Sequence, residues 1–194
     1  MRAIVLGPPG AGVMTQTRLL AGALGLSAVS VDDFLRLHIS RGTPLGDLAK
    51  RSMGHGGPVS ENILHAVARD GLARTDTSLG WVLAGYPRTA QQLSLLLNWT
   101  RDCGQTIDVA LVLGVGEREV LRRLLPGTRP CESEHLEAWV RNSYQRFSDS
   151  LPLLMATLKD HGLLQVVDGH GHVHQVATRC LTLARQVVRA RALG

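Results

Sequence analysis

Residues 7–16 read GPPGAGVMTQ and join a short apolar run, residues 2–6, to a stretch with helical spacing, residues 15–24. A glycine-rich turn between a strand and a helix is typical of loops that bind phosphate, because backbone N–H groups converge there and the helix N-terminus adds partial positive charge. The first and last glycines of GPPGAG have the spacing of the phosphate-loop pattern G-x-x-x-x-G-K-[ST]. The lysine position of that pattern holds Val13. A tight turn without a ligand therefore stays open as the alternative at this point.

Strand-like and helix-like segments alternate beyond this turn. The expected strands are residues 2–6, 28–31, 80–83, 109–113 and 163–167. The expected helices are residues 15–24, 33–39, 45–53, 60–70, 89–99, 117–125, 135–147, 151–161 and 173–192, with a turn at 126–130. Such alternation indicates a mainly parallel sheet covered by helices on both faces. We expect an α/β fold, a three-layer sandwich of the phosphate-loop type.

The composition is that of one globular domain. The chain has 194 residues, and a hydrophobic fraction of 44% excludes a disordered protein. No apolar run approaches the roughly 18 residues that a membrane span needs. Cys103, Cys131 and Cys180 form no Cys-x-x-Cys pair, which favours free thiols in a reducing compartment. We expect a cytoplasmic protein that lies outside the membrane and holds no structural metal site.

The positive charge favours small phosphorylated ligands. The net charge is +5, and only two of the 21 basic residues, Lys50 and Lys159, are lysines. The arginines are scattered, with no basic run that has interleaved aromatics, so nucleic acid is a minor option. The planar fork of a guanidinium group matches the oxygens of a phosphate group.

Three further segments complete a pattern known from one protein family. They are VSVDDFLR at residues 29–36, GGPV at residues 56–59 and GYPRTAQQ at residues 85–92. Together with the glycine-rich turn they resemble the adenylate kinase (nucleoside monophosphate kinase) family, whose segments read I-S-T-G-D-x-L-R, G-x-L-V and G-F-P-R-T-x-x-Q. The four motifs occur in the family's order, and the resemblance covers essentially the whole chain.

The resemblance implies a donor site for ATP and an acceptor site for a nucleoside monophosphate or a related phosphorylated small molecule. The implied donor residues are Gly10, Ala11, Gly12, Val13, Met14, Thr15 and Arg123, with Thr15 in contact with Mg²⁺. The implied acceptor residues are Arg36, Val59, Gly85, Arg88 and Gln92. In this interpretation Arg36 and Arg88 hold the acceptor phosphate, and Gln92 faces the acceptor base. The whole chain is one domain, with an acceptor-binding insert at about residues 31–70.

The resemblance also implies a short lid at about residues 125–134. Arg123 resembles the arginine beside the donor base, and Arg129 and Arg141 resemble the arginines around the moving phosphoryl group. The expected catalytic residues are therefore Arg88, Arg129 and Arg141.

Two departures from the family pattern fall where the family does its chemistry. Val13 replaces the lysine that bridges the β- and γ-phosphates of the donor, and Ala84 replaces an aspartate that supports the hydration shell of Mg²⁺. Removing one preorganised charge of this kind typically costs two to three decades in rate. Three functions stay open: an ATP-dependent phosphotransferase that uses Mg²⁺, a nucleotide-binding protein without kinase activity, and an enzyme repurposed for another phosphorylated metabolite. The resemblance favours an enzyme.

Compensating groups are available near the turn. The family's Thr and Gly have become Val31 and Asp32, and Asp33 matches a family aspartate. Either aspartate offers a carboxylate to Mg²⁺, and Arg18 lies about one helical turn beyond the glycine-rich turn. The simpler interpretation of the aspartate pair is a helix N-cap at Asp32 followed by an acidic residue in the first turn.

Overall fold

A computed structural model describes residues 1–54, 59–125 and 130–192, of which residues 130–134 and 191–192 are described as backbone only. Five strands form one sheet in the order β2-β3-β1-β4-β5, and each neighbouring pair is parallel. The strands are β1 (Arg2–Leu6), β2 (Ser27–Ser30), β3 (Trp81–Ala84), β4 (Val109–Gly114) and β5 (Leu164–Asp168). This arrangement confirms the expected α/β fold with a parallel sheet.

A helix follows each strand, and three helices follow β2. The helices are α1 (Val13–Leu24), α2 (Val31–Ser40), α3 (Pro44–Gly54), α4 (Glu61–Arg74), α5 (Ala90–Asp102), α6 (Glu117–Leu124), α7 (Pro130–Asp160) and α8 (Val173–Ala192). Before α2, α4 and α5 a hydroxyl side chain accepts a hydrogen bond from the backbone N–H three residues on, which fixes where each helix begins. These caps are Ser30, Ser60 and Thr89.

The hydrophobic core lies on both faces of the sheet. Side chains of a strand alternate between faces, so Ile4 and Leu6 of β1 pack into one cluster with residues of α4, α5 and the second half of α7. Ala3 and Val5 pack into a second cluster with residues of α1, α6 and α8. The three-layer sandwich expected from the sequence is therefore correct.

The prediction of two separate helices at residues 135–147 and 151–161 is wrong. One helix, α7, runs from Pro130 to Asp160 with Pro152 inside it. Proline cannot donate the usual backbone hydrogen bond and so tends to end a helix. Here packing on both sides of Pro152 keeps the helix continuous, because Val140 is buried in one core cluster while Leu154 and Leu158 are buried in the other.

Within the part of the chain that the structure describes, no helix combines the length and the apolar character required to cross a bilayer.

Candidate functional site

The carboxyl ends of three adjacent strands lie side by side. In the sheet register Val5 of β1 and Ser30 of β2 both lie opposite Ala84 of β3. The glycine-rich turn after β1, the start of α2 and the turn at Gly85 therefore open on the same edge of the sheet. Open parallel sheets bind their ligands at this edge.

The glycine-rich turn presents unused backbone amides. Gly10 and Gly12 have φ angles of 75° and 85°, a left-handed conformation that suits glycine. In α1 the N–H of Gln16 donates to the carbonyl of Gly12 at 2.9 Å. The amides of residues 13–15 precede that bond, so the helix leaves them without an intrahelical acceptor. They are the groups that a phosphate-binding turn offers to an anion.

Val13 turns its side chain towards the core. Its Cγ2 lies 3.1 Å from the place that a Cβ on Gly7 would occupy, and the same place is 3.2 Å from Cβ of Leu113. Val13 also packs against the core cluster shared with α1 and α8. The position that carries lysine in the family thus holds a partly buried apolar side chain that packs against the core.

Arg123 fastens the glycine-rich turn to its surroundings. Its Nη1 is 3.4 Å from the carbonyl oxygen of Gly10 and 3.5 Å from that of Ala11, and its Nη2 donates to the carbonyl of Gly169 at 2.9 Å. Its Nε donates to Glu119 at 2.7 Å, and the side chain is 21% exposed. The structure therefore brings Arg123 to the turn, and its contact with a donor nucleotide stays a prediction.

The backbone of Arg88 is fixed from two sides. Its N–H donates to Oε1 of Gln92 at 2.6 Å, and its carbonyl accepts from the hydroxyl of Ser150 at 2.9 Å. The Tyr86–Pro87 peptide bond just before it is cis. The buried side chain of Gln92 therefore positions Arg88, and a contact of Gln92 with an acceptor base stays a prediction.

The guanidinium of Arg88 faces a carboxylate from α2. Its Nη2 lies 2.7 Å from both Oδ1 and Oδ2 of Asp32, and its Nε donates to the carbonyl of Gly85 at 2.9 Å. The side chains of Arg88 and Asp32 are 51% and 44% exposed. The ion pair between Arg88 and Asp32 is therefore about half exposed to solvent.

Arg36 is paired as well. It donates to Oδ1 of Asp33, and Nη2 of Arg18 lies 3.7 Å from Oδ2 of the same carboxylate. The hydrogen bond from Arg36 lowers the pKa of Asp33 despite its partial burial. Asp33 also donates its N–H to the Ser30 cap. Both aspartates lie in the first turn of α2, so the N-cap expected at Asp32 is wrong: the cap is Ser30. Each aspartate has an arginine partner.

Behind this edge, Tyr86 links α4 to α5. Its buried hydroxyl donates to the carbonyl of Gln92 at 3.1 Å and lies 2.9 Å from Nδ1 of His65. Burial raises the pKa of Tyr86, and burial together with the neighbouring Arg69 lowers the pKa of His65. Both groups are therefore neutral at pH 7.

Not all predicted residues come together. Arg141 on α7 pairs with Glu117 at 2.8 Å and with Glu137 at 2.7 Å. Val59 is partly buried just before the cap of α4. Arg129 and residues 56–58 of the GGPV segment lie outside the described residues. The exposed Thr15 stands in the first turn of α1, beside Met14.

Sequence reasoning missed the pairing of Asp32 with Arg88. The signal was present, because Asp32 replaces a family glycine at the end of a strand beside the one that leads to Arg88. The register of β2 against β3 brings Asp32 and Arg88 close enough to pair. No sequence pattern predicts the hydrogen bond from Ser150 to Arg88, since the two residues are 62 positions apart.

The fold and the site define a class: parallel α/β proteins of the phosphate-loop type, in which a glycine-rich turn and arginine-bearing segments share one edge of the sheet. The family model described as adenylate kinase matches residues 5–180. An adenylate kinase of Thermobifida fusca is 36% identical over 183 residues, covering 94% of this chain and 97% of the relative. One from Pseudarthrobacter chlorophenolicus is 32% identical, covering 93% and 94%. One from Symbiobacterium thermophilum is 41% identical, covering 69% and 61%. The chain therefore belongs to the adenylate kinase family.

Proposed function

We propose that this protein transfers the terminal phosphoryl group of ATP to a nucleoside monophosphate or a similar phosphorylated small molecule. One observation carries the proposal: the glycine-rich turn and the Arg88 turn follow adjacent strands whose ends are in register, Val5 opposite Ala84. Phosphoryl transfer needs positioning and positive charge around the moving group rather than covalent help from the protein. Two phosphate-binding segments on one sheet edge supply that arrangement.

The donor side of the site uses mainly backbone groups. The amides of residues 13–15 and the N-terminus of α1 hold the ATP phosphates. Arg123 keeps the turn in place through its contacts with the carbonyls of Gly10 and Ala11, and in this proposal its guanidinium borders the donor base.

The acceptor side uses side chains of the insert at about residues 31–70 and of the Gly85 turn. Arg88 and Arg36 bind the acceptor phosphate, while Val59 and Gln92 lie towards the acceptor base. Arg129 of the proposed lid, about residues 125–134, and Arg141 of α7, which begins at Pro130, add positive charge around the moving group. For Arg141 this requires release from Glu117 and Glu137, which are exposed partners and therefore weakly held.

The residues at this edge fit Mg²⁺ in a limited role. Mg²⁺ takes one or two protein oxygen ligands and fills the rest with phosphate oxygens and water. The candidate protein oxygens are the exposed hydroxyl of Thr15 and the carboxylate of Asp33, which Mg²⁺ would share with Arg36 and Arg18, and Ala84 supplies none. When bound, Mg²⁺ neutralises charge on the phosphates. The chain's own residues position the phosphates of the substrates and the carboxylate of Asp33.

The missing charges set the expected rate. Val13 provides no cation at the donor phosphates, and loss of a preorganised charge costs about two to three decades in rate. Ala84 adds to this loss without simple additivity. We therefore infer a slow phosphotransferase, with binding retained better than turnover.

A second candidate function is nucleotide binding without phosphoryl transfer. Two observations favour it: Val13 packs into the core, and Asp32 occupies the guanidinium of Arg88. This candidate differs from the first in one respect, since it predicts that a nucleotide binds while no product forms.

The test is a chromatographic product assay with ATP, Mg²⁺ and a panel of nucleoside monophosphates. The wild-type protein is compared with Arg88→Ala and with Arg101→Ala, which removes an exposed arginine at the far end of α5. We expect product from the wild type and from Arg101→Ala, and a kcat/KM at least about 100-fold lower for Arg88→Ala.

Two other results would change the assignment. Equal turnover by the wild type and Arg88→Ala would remove Arg88 from the acceptor site. Calorimetric binding of ATP by the wild type without any product would establish the second candidate.

A further inference from the structure

The pairing of Asp32 with Arg88 places a carboxylate on the nitrogens that the proposed function assigns to the acceptor phosphate. Both oxygens of Asp32 lie 2.7 Å from Nη2 of Arg88. Carboxylate and phosphate oxygens are the same kind of acceptor for a guanidinium fork. An acceptor phosphate and Asp32 therefore compete for one set of N–H groups.

The contact is built into the backbone at Gly85. A Cβ placed on Gly85 would lie 2.9 Å from Oδ2 of Asp32 and 3.5 Å from Nη2 of Arg88. Gly85 has a φ angle of 79°, so glycine is the residue that suits this turn. Without a side chain at position 85, the carboxylate reaches the inner side of the turn and meets the guanidinium there.

The neighbouring aspartate is directed elsewhere. Asp33 pairs with Arg36 and approaches Arg18 at 3.7 Å, so the two consecutive carboxylates serve different arginines. Together, three arginines and two aspartates leave this cluster with one net positive charge. With an uncharged residue at position 32, the same cluster would carry two net positive charges.

The ion pair between Asp32 and Arg88 is easily broken. Both side chains are about half exposed, and ion pairs between exposed groups are weak. Among the described residues, Nη1 of Arg88 has no hydrogen-bond acceptor, while its Nε is held by the carbonyl of Gly85. A phosphate group can therefore approach Nη1 while the carboxylate still holds Nη2.

We propose that Asp32 lowers the affinity of the acceptor site for phosphate groups: it occupies Arg88 when no acceptor is bound and is displaced by the phosphate group of a nucleoside monophosphate. This inference rests on the assignment of Arg88 in the proposed function. A closed pair lowers the fraction of protein competent to bind phosphate, and the apparent affinity falls by that fraction. A phosphate dianion displaces the single charge of Asp32, whereas a nucleoside without phosphate has no group to exchange for it. Asp32 thus weakens the binding of all acceptors that depend on Arg88 and leaves nucleoside binding unchanged.

The test is calorimetric titration with AMP and with adenosine. Four proteins are compared: the wild type, Asp32→Asn, Asp32→Gly, and Asp102→Asn as a control that removes the same charge from an exposed position at the end of α5. Asparagine keeps the size of the side chain, and thermal melts establish that each variant is folded. We expect both position-32 variants to bind AMP about two- to fivefold more tightly than the wild type and the control. Adenosine should bind all four equally.

Unchanged or weaker AMP binding by both Asp32 variants would overturn the inference. Equal tightening of adenosine binding would also overturn it, because the effect would not depend on the phosphate.

A product assay on the same four proteins separates this inference from the proposed function. If product forms, the KM for AMP should fall in the Asp32 variants while the KM for ATP stays unchanged. Tighter AMP binding without product in any protein supports the role of Asp32 and overturns the proposed function. Product formation with equal AMP binding in all four overturns the role of Asp32 alone. AMP binding by none of them overturns both.

Discussion

The donor and acceptor sides of the candidate site lack positive charge for different reasons. On the donor side, Val13 puts an apolar side chain into the core where the family has a lysine. On the acceptor side, Arg36 and Arg88 are present, but each is held by an aspartate of α2. A charge lost by substitution can return only through another substitution. A charge held in an exposed ion pair can be released by a substrate that binds more strongly.

The largest expected effect is on the donor side. The double variant Val13→Lys, Ala84→Asp restores both family charges, and we expect its kcat with ATP and AMP to rise by about 100-fold. The long aliphatic stem of lysine can cover the apolar surface that Val13 covers while its ammonium group reaches solvent. The measurement is the initial rate of product formation at saturating substrates.

The matched control is Val13→Met, Ala84→Asn, which has similar side-chain volumes without the charges. A control that turns over as fast as the charged variant would show that charge at these positions does not limit the reaction.

The backbone of the glycine-rich turn gives the next largest effect. Gly10→Ala and Gly12→Ala both place a side chain at positive φ, which costs about 1–2 kcal/mol. At Gly10 the new Cβ would also lie 2.9 Å from Cγ of Leu124, whereas at Gly12 it meets no atom of the described residues within 4 Å apart from its own chain neighbours. We expect Gly10→Ala to lower the free energy of unfolding by about 1 kcal/mol more than Gly12→Ala does.

Gly22→Ala is the control, since Gly22 lies inside α1 with open space around it and φ in the helical range. We expect it to stabilise the protein by up to about 1 kcal/mol. The three free energies come from denaturant unfolding. Equal losses for Gly10→Ala and Gly12→Ala would contradict the contact with Leu124.

The smallest expected effect concerns His65, which lies behind the acceptor side and contacts the hydroxyl of Tyr86. Burial, together with the nearby Arg69, lowers the pKa of His65 in the folded protein. The unfolded chain therefore binds more protons than the folded one below about pH 6.5, and stability is lost as the pH falls through the folded pKa. Between pH 7 and pH 5 we expect the wild type to lose free energy of unfolding, and His65→Gln to lose less. The difference should stay below about 1 kcal/mol.

His161→Gln serves as the control, because His161 is exposed at the end of α7. Denaturant unfolding at several pH values measures the slopes. A pH slope for His65→Gln equal to that of the wild type and of His161→Gln would show that burial of His65 does not contribute.

Much of the fold follows from the sequence because it depends on local patterns. Buried apolar runs predict the strands, and helical spacing predicts the helices, whereas the hydroxyl caps Ser30 and Thr89 of α2 and α5 are found only in the structure. The glycines of the turn after β1 predict its conformation, since two of them have positive φ. The single helix α7 could not be predicted, because its continuity through Pro152 depends on packing between distant residues.

The candidate site follows from the sequence only in part. Motif spacing places Arg88 and the glycine-rich turn at strand ends, and the sheet order then makes them neighbours. The inward direction of Val13 and the contact between Asp32 and Arg88 depend on side-chain directions and on the register of β2 against β3. Those properties are three-dimensional, and no local pattern encodes them.

The central claim is that positive charge is lost on the donor side and reversibly held on the acceptor side. The most direct measurement is the kcat and the KM for AMP of four proteins: the wild type, Val13→Lys, Asp32→Asn and the combined variant. We predict that Val13→Lys raises kcat without changing the KM for AMP, that Asp32→Asn lowers that KM without changing kcat, and that the combined variant shows both effects additively. A kcat that rises with Asp32→Asn, together with a KM for AMP that changes only with Val13→Lys, would contradict the claim.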